Sequence, residues 1–269
     1  MKRRTTIISA LMVSFVLSGW LIASKTSGFQ SQDAAGLAFK IEPDKESYLL
    51  GELISLKFKV MNKSDSPVSV DGSSSVYTGS IEVLVAYEKG PFRKYYGPRW
   101  GTLDVARSSP LELKPGNSFE SEATLLQNPY LETSHLNENA AKHAREQANL
   151  VEDNYLLSKP GTYYIKAILH DAETKKVLES EPVQVVATEP ADDDLEIWER
   201  IKSDRSYGYF IQTGGLNEHP AGAKTMKMAQ SLNALVLRHP NSQYAAMINS
   251  GLSRHKAKLD KANDGSKAP

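Results

Sequence analysis

Residues 90–101 hold the densest set of contact-forming side chains in the sequence: Gly-Pro-Phe-Arg-Lys-Tyr-Tyr-Gly-Pro-Arg-Trp-Gly. Four aromatics (Phe92, Tyr95, Tyr96, Trp100) interleave with three cations (Arg93, Lys94, Arg99). Exposed rings stack on sugars and peptides, and guanidinium groups grip carboxylates. Phe92, Arg93, Tyr95, Tyr96, Arg99 and Trp100 are therefore the candidate binding residues. The competing reading is an extended hairpin whose rings fold back onto a sheet edge, because large aromatics near sheets usually pack. Single-stranded nucleic acid would use the same residue types. Against it, 32 basic side chains balance 32 acidic ones, so the chain has no net positive field for a phosphate backbone.

Residues that could carry covalent or metal chemistry are sparse. The chain has no cysteine, which excludes a thiolate nucleophile, a disulfide and a Cys-held metal centre. His135 and His143 stand eight residues apart with Glu138 between them, whereas the helical zinc-protease pattern needs His at i and i+4. His170, His219, His239 and His255 are scattered and are expected to be solvated. No Gly-x-Ser-x-Gly elbow or phosphate-cradling glycine loop occurs. Glu120 and Glu122 share one face of a strand, as a glycosidase pair could, but the polar face of an amphipathic strand explains them equally. Asp192, Asp193 and Asp194 lack the spaced oxygens of a calcium loop and read instead as a helix start. No catalytic residue, metal or cofactor is assigned, and a non-enzymatic role is expected.

The elements that would position the 90–101 segment follow from the periods around it. Lys2, Arg3 and Arg4 precede the uncharged run Ile7–Ala23, the pattern of a signal peptide over 1–24. An uncleaved membrane tether through residues 5–23 is the alternative, since 17 residues lie near the lower limit for a span. Either way the bulk of the chain is expected outside the cytoplasm: periplasm, cell surface or secreted. Removing residues 1–24 would take three positive charges and leave a mildly acidic chain. A Ser/Gly/Gln-rich linker covers 25–36.

From Leu37 to Thr188 the dominant period is two. Ile54, Leu56, Phe58 and Val60 alternate with polar or flexible neighbours, and so do Ile81/Val83/Val85, Phe119/Ala123/Leu125, Tyr163/Ile165/Ala167/Leu169 and Val183/Val185/Ala187. Turn residues punctuate these runs at Gly51, Asn62–Pro67, Gly90-Pro91, Pro115-Gly116 and Pro160-Gly161. One-sided strands need a second sheet to cover them, which predicts a mainly β chain built on an antiparallel sandwich over 37–188. Tyr48-Leu49-Leu50-Gly51-Glu52 leading into an alternating strand, with Leu113-Lys114-Pro115-Gly116 and Pro160-Gly161-Thr162-Tyr163 downstream, resembles the immunoglobulin-like or macroglobulin-like modules of exported bacterial proteins. That resemblance implies a fold and no activity, since such modules serve as adhesins, inhibitors and spacers. Between Gln127 and Ser158 the chain departs from the pattern with a long insertion, read as a helix over about 133–151.

After Glu189-Pro190 the period becomes helical, giving an α-helical domain over 189–259 and a disordered tail over 260–269. Leu195, Trp198 and Ile201 form the inner face of one helix, and Met228, Leu232 and Leu235 that of a second, from Gly222 to His239. Asn241-Ser242 starts a third, with Tyr244, Met247, Ile248 and Leu252 inward. The stretch Leu235–Ala246 resembles the joint of one tetratricopeptide-like hairpin; a lone hairpin must pack on the preceding helix, on the sandwich or on another molecule. Residues 205–221 carry no assignable pattern. The expected function is a binding or docking protein of the cell envelope, its partner an envelope protein or surface polymer. The alternatives are a protease inhibitor presenting 90–101, a structural spacer and an uncharacterised hydrolase.

Overall fold

Strict alternation over Ile54–Asn62 forces every second side chain inward. Ile54, Leu56, Phe58, Val60 and Asn62 are buried and the residues between them are half-exposed. The computed structural model describes residues 36–95, 97, 109–127, 155–216 and 220–265, all within the unit Ser31–Pro269. In chain order the strands are β1 (Leu37–Pro43), β2 (Ser47–Leu49), β3 (Ile54–Asn62), β4 (Val68–Asp71), β5 (Ile81–Tyr87) and β6 (Arg93–Lys94). They continue with β7 (Pro110–Leu113), β8 (Ser118–Leu125), β9 (Gly161–His170), β10 (Val177–Glu179) and β11 (Val183–Thr188). Four helices follow: α1 (Asp192–Lys202), α2 (Arg205–Thr213), α3 (Ala223–Arg238) and α4 (Gln243–Gly265). The segment expected to form the 133–151 helix lies outside the described residues.

One sheet has the order β1-β3-β8 and a second β2-β11-β9-β5-β6, with β10 also on β9; β4 and β7 pair separately. Inward residues of both large sheets join one apolar cluster, and β1 lies against β9, β10 and β11, so the sheets form two facing layers. The expectation of purely antiparallel pairing is corrected at one edge: β2 runs parallel to β11, pairing Ser47 with Val186 and Leu49 with Thr188. The chain leaves β1 in one sheet and enters β2 in the other without reversing against β11. Asp44 pins this crossing, its Oδ1 accepting from Ser55 N (2.8 Å) and from the Tyr48 hydroxyl (2.8 Å). The described residues mix sheet and helix, 31% helical and 35% strand.

A buried polar joint ties the β4–β7 ribbon to the end of β9. Asp71 Oδ1 accepts from Ser73 N (2.9 Å), Ser73 Oγ (2.6 Å) and Ser109 N (3.2 Å), while Asp171 Oδ1 accepts from Asp71 N (2.8 Å). Burial pushes the Asp71 carboxyl up, but these donors outweigh it and leave the group below its ordinary value. A depressed carboxyl adds stability that is present above about pH 4, its unfolded value, and lost as pH falls through the folded one. Asp71→Asn should therefore flatten the decline in melting temperature between pH 5 and 3; an unchanged slope contradicts the assignment.

The helices share the sheets' core. Ile197, Trp198 and Ile201 of α1 are buried, whereas Leu195, expected inward, is exposed; Ile197 takes its place. The unassigned 205–213 stretch is α2, capped by the Asp204 side chain at Ser206 N (2.8 Å) and ended by left-handed Gly214. On α3, Met228, Leu232 and Leu235 face inward as expected, joined by Thr225. Helix α4 continues to Gly265, through part of the segment expected as a tail, after burying Tyr244, Met247 and Ile248. The hairpin of α3 and α4 finds its cover on the strands and on α1 and α2. The Tyr244 hydroxyl donates to Leu50 O (2.5 Å), and α4 packs on α2. At the same corner the Trp198 ring lies against Gly51.

Candidate functional site

Strand β6 is two residues long, and its register sets the direction of every described side chain in the aromatic–cationic segment. Arg93 pairs with Val85, Lys94 pairs with Leu84, and Tyr95 N donates to Val83 O (2.8 Å). Period two then sends Phe92 and Lys94 to the outer face of the sheet, and Arg93 and Tyr95 toward the inner side. Phe92 is 38% exposed, with Lys166 Nζ 4.6 Å from its ring centroid. Lys94 pairs with Glu82, and Lys166 with Glu179. Arg93 is exposed at the rim.

Tyr95 departs from its expected role. It is 5% exposed, so its ring is a buried anchor and not a contact residue. The cause is the alternation that exposes Phe92: two residues past Arg93, the inner side is covered by Leu126, just after β8, and by α2. Its hydroxyl accepts from Leu126 N (3.2 Å) and from Gln212 Nε2 (3.1 Å). Burial holds the phenol well above its ordinary range despite these donors, so it stays protonated. Tyr96, Arg99 and Trp100 lie outside the described residues.

Gln212 is the centre of the seam that holds this anchor. Its Nε2 also donates to Thr124 O (2.7 Å), and its Oε1 accepts from Gln127 N (3.0 Å). Gln127 in turn donates to Arg205 O and forms a β-bridge with Tyr155. The Tyr155 hydroxyl donates to Ile201 O (2.7 Å), and its ring meets Trp198 edge-on at 5.2 Å. One buried amide thus joins β6, β8 and α2. Sequence reasoning missed Gln212; the available signal was a lone amide inside the aromatic run Tyr207–Leu216.

The remaining polar candidates are structural. Asp194 caps α4 rather than its own helix: Oδ1 accepts from Ser242 Oγ (2.6 Å) and Gln243 N (2.9 Å). His239 and His255 are buried, contrary to the expectation of solvated imidazoles. His239 Nδ1 lies 3.1 Å from Asp193 and Nε2 3.1 Å from Glu196, the latter out of hydrogen-bonding line. His255 packs on the Phe210 ring at 5.2 Å with neither nitrogen hydrogen-bonded. His170 is exposed, while His135, His143 and His219 lie outside the described residues. Among the described residues no His, Asp and Glu side chains cluster as metal ligands would, and no helix is long and apolar enough to cross a membrane. The 1–24 run lies outside them.

No family model matches the chain, and no curated protein matches it. Among solved structures, a β-glucosidase of Erythrobacter marinus overlaps 56% of this chain and 15% of its own at 11% identity and TM-score 0.29. The sporulation control protein Spo0M of Bacillus subtilis overlaps 62% of this chain and 55% of its own, at 9% identity and TM-score 0.28. The chain thus spans under two thirds of either protein. A CARDB domain of Pyrococcus furiosus matches 57% of this chain and 94% of its own, at 12% identity and TM-score 0.26. Likenesses this low transfer no activity.

Proposed function

We propose that this chain is an exported, non-enzymatic binding protein of the cell envelope, in which an immunoglobulin-like sandwich presents the 90–101 segment to an envelope protein or surface polymer. The observation that carries the reading is the division of labour within four residues: Phe92 and Arg93 are exposed, while Tyr95 is bolted into the seam. A ring and a guanidinium held on a rigid base lose little conformational freedom on binding. Their chemistry suits stacking on a sugar or peptide plane and pairing with a carboxylate. Tyr96, Arg99 and Trp100, which lie outside the described residues, carry the same contact chemistry in the sequence. The charged start and uncharged run of residues 1–24 support export, with a membrane tether through residues 5–23 if they are retained.

Fractionated cells should hold the protein outside the cytoplasm. The purified protein should bind isolated envelope polymer or one envelope protein at about micromolar Kd, which corresponds to roughly −8 kcal/mol. A cytosolic location overturns the reading. So does turnover in a general hydrolase panel that one side-chain change abolishes.

A further inference from the structure

Among the described residues strand β8 is an edge of its sheet, and the hydrogen-bonding parity along it decides which groups are left over. Asn62 N donates to Asn117 O (2.9 Å), and the register continues through Val60–Phe119, Phe58–Ser121 and Leu56–Ala123. Phe119, Ser121 and Ala123 therefore spend their amides and carbonyls on β3, while those of Ser118, Glu120, Glu122 and Thr124 point away from it. At Thr124 the outward groups are taken by side chains: its N–H donates to the Tyr77 hydroxyl (3.3 Å), and its carbonyl accepts from Gln212. At Ser118, Glu120 and Glu122 they have no partner among the described residues, and all three residues are exposed. The open edge is thus three alternate positions long, with a stop at its C-terminal end.

Charge selects what pairs there. Lys59 binds Glu120 (2.7 Å), and Lys57, opposite Glu122 in register, also leans to Glu120 (3.9 Å). Glu122 is left without an ion pair among the described residues. A second copy is disfavoured: every antiparallel β8–β8 register that overlaps two or more of the open positions, save the pairing of Ser118 with Glu120, sets Glu against Glu.

We propose that the outer edge of β8, at Ser118, Glu120 and Glu122, accepts an extended basic peptide segment of a partner protein by strand addition. The partner's backbone completes the ladder over about five residues, and Lys or Arg at alternate positions meets Glu122 and Glu120. This surface is separate from the 90–101 segment and does not depend on its role.

The probe is a synthetic pentapeptide, acetyl-Lys-Val-Lys-Val-Thr-amide, whose residues 1, 3 and 5 lie opposite Glu122, Glu120 and Ser118 in an antiparallel ladder, set beside its Glu-for-Lys counterpart. Amide exchange of the whole protein is followed residue by residue. The lysine peptide should slow exchange at Ser118, Glu120 and Glu122 and not at Phe119 or Ser121. The glutamate peptide should need about tenfold higher concentration, a gap that shrinks in 0.5 M salt. N-methylation of the peptide's ladder amides should abolish protection, and Glu122→Gln should weaken the lysine peptide severalfold. Equal protection by both peptides, protection that survives N-methylation, or protection by protein concentration alone overturns the proposal.

Discussion

Gly51→Ala should lower the melting temperature by roughly 10–15 °C, an expected loss of about 3–5 kcal/mol for a chain of this size. Two costs combine at this position. Gly51 has φ +66, a left-handed conformation that an L side chain adopts with strain. A Cβ built there would also fall 2.0 Å from Trp198 Cζ3 and 2.6 Å from Cε3. That ring is 3% exposed and wedged between the sheet corner and Tyr155, so it cannot step aside. Gly116→Ala is the matched control, with φ +79 but nothing within 4 Å of its Cβ. It should cost about 1 kcal/mol. Equal losses in the two variants would mean that strain alone matters and that Trp198 does not clamp the corner.

Gln212→Ala should cost about 3–4 kcal/mol, although it removes few apolar atoms. The amide N–H of Gln127 loses its acceptor, the Thr124 carbonyl loses a donor, and the Tyr95 oxygen keeps only the Leu126 amide. Each orphaned buried group costs about 1–3 kcal/mol, partly offset where water enters. Amide exchange should accelerate at Gln127 and leave Ile165 in β9 unchanged. Because Tyr95 is the base of the Phe92–Arg93 hairpin, partner affinity should also fall in a variant that touches no partner. Gln184→Ala, at an exposed position of β11, should change neither quantity.

These two residues mark where sequence reasoning ends. Alternation over Ile54–Asn62 and Gly161–His170 is a local, one-dimensional signal, and burial follows it residue by residue. The inner stripe of α3 was readable for the same reason. Leu195 was misplaced because it flanks Trp198 on one side and Ile197 flanks it on the other, and the direction of docking chooses which flank is buried. The Tyr48–Glu52 motif marked a strand entrance, and Gly51 was read as a turn; that Trp198 fills the space beside it depends on contacts nearly 150 residues apart. The parallel pairing of β2 with β11 was equally hidden, since period two carries no strand direction. Tyr95 shows the limit most plainly. Composition groups it with Phe92 and Arg93; the register of β6 turns it away from the side of exposed Phe92, and the cover from Leu126 and α2 separates it from exposed Arg93.

The claim on which the account rests is that the 90–101 segment binds through Phe92 and Arg93 on a fixed base. The direct measurement compares the Kd of wild-type protein and Phe92→Ala/Arg93→Ala for the same isolated envelope material, with melting temperatures taken in parallel. Both residues are exposed, so the double variant should melt within about 2 °C of wild type. Its affinity should fall at least about thirtyfold, as expected when an aromatic and an arginine are removed from the centre of an interface. An unchanged Kd at unchanged stability would contradict the account and leave the hairpin a passive edge of the sheet.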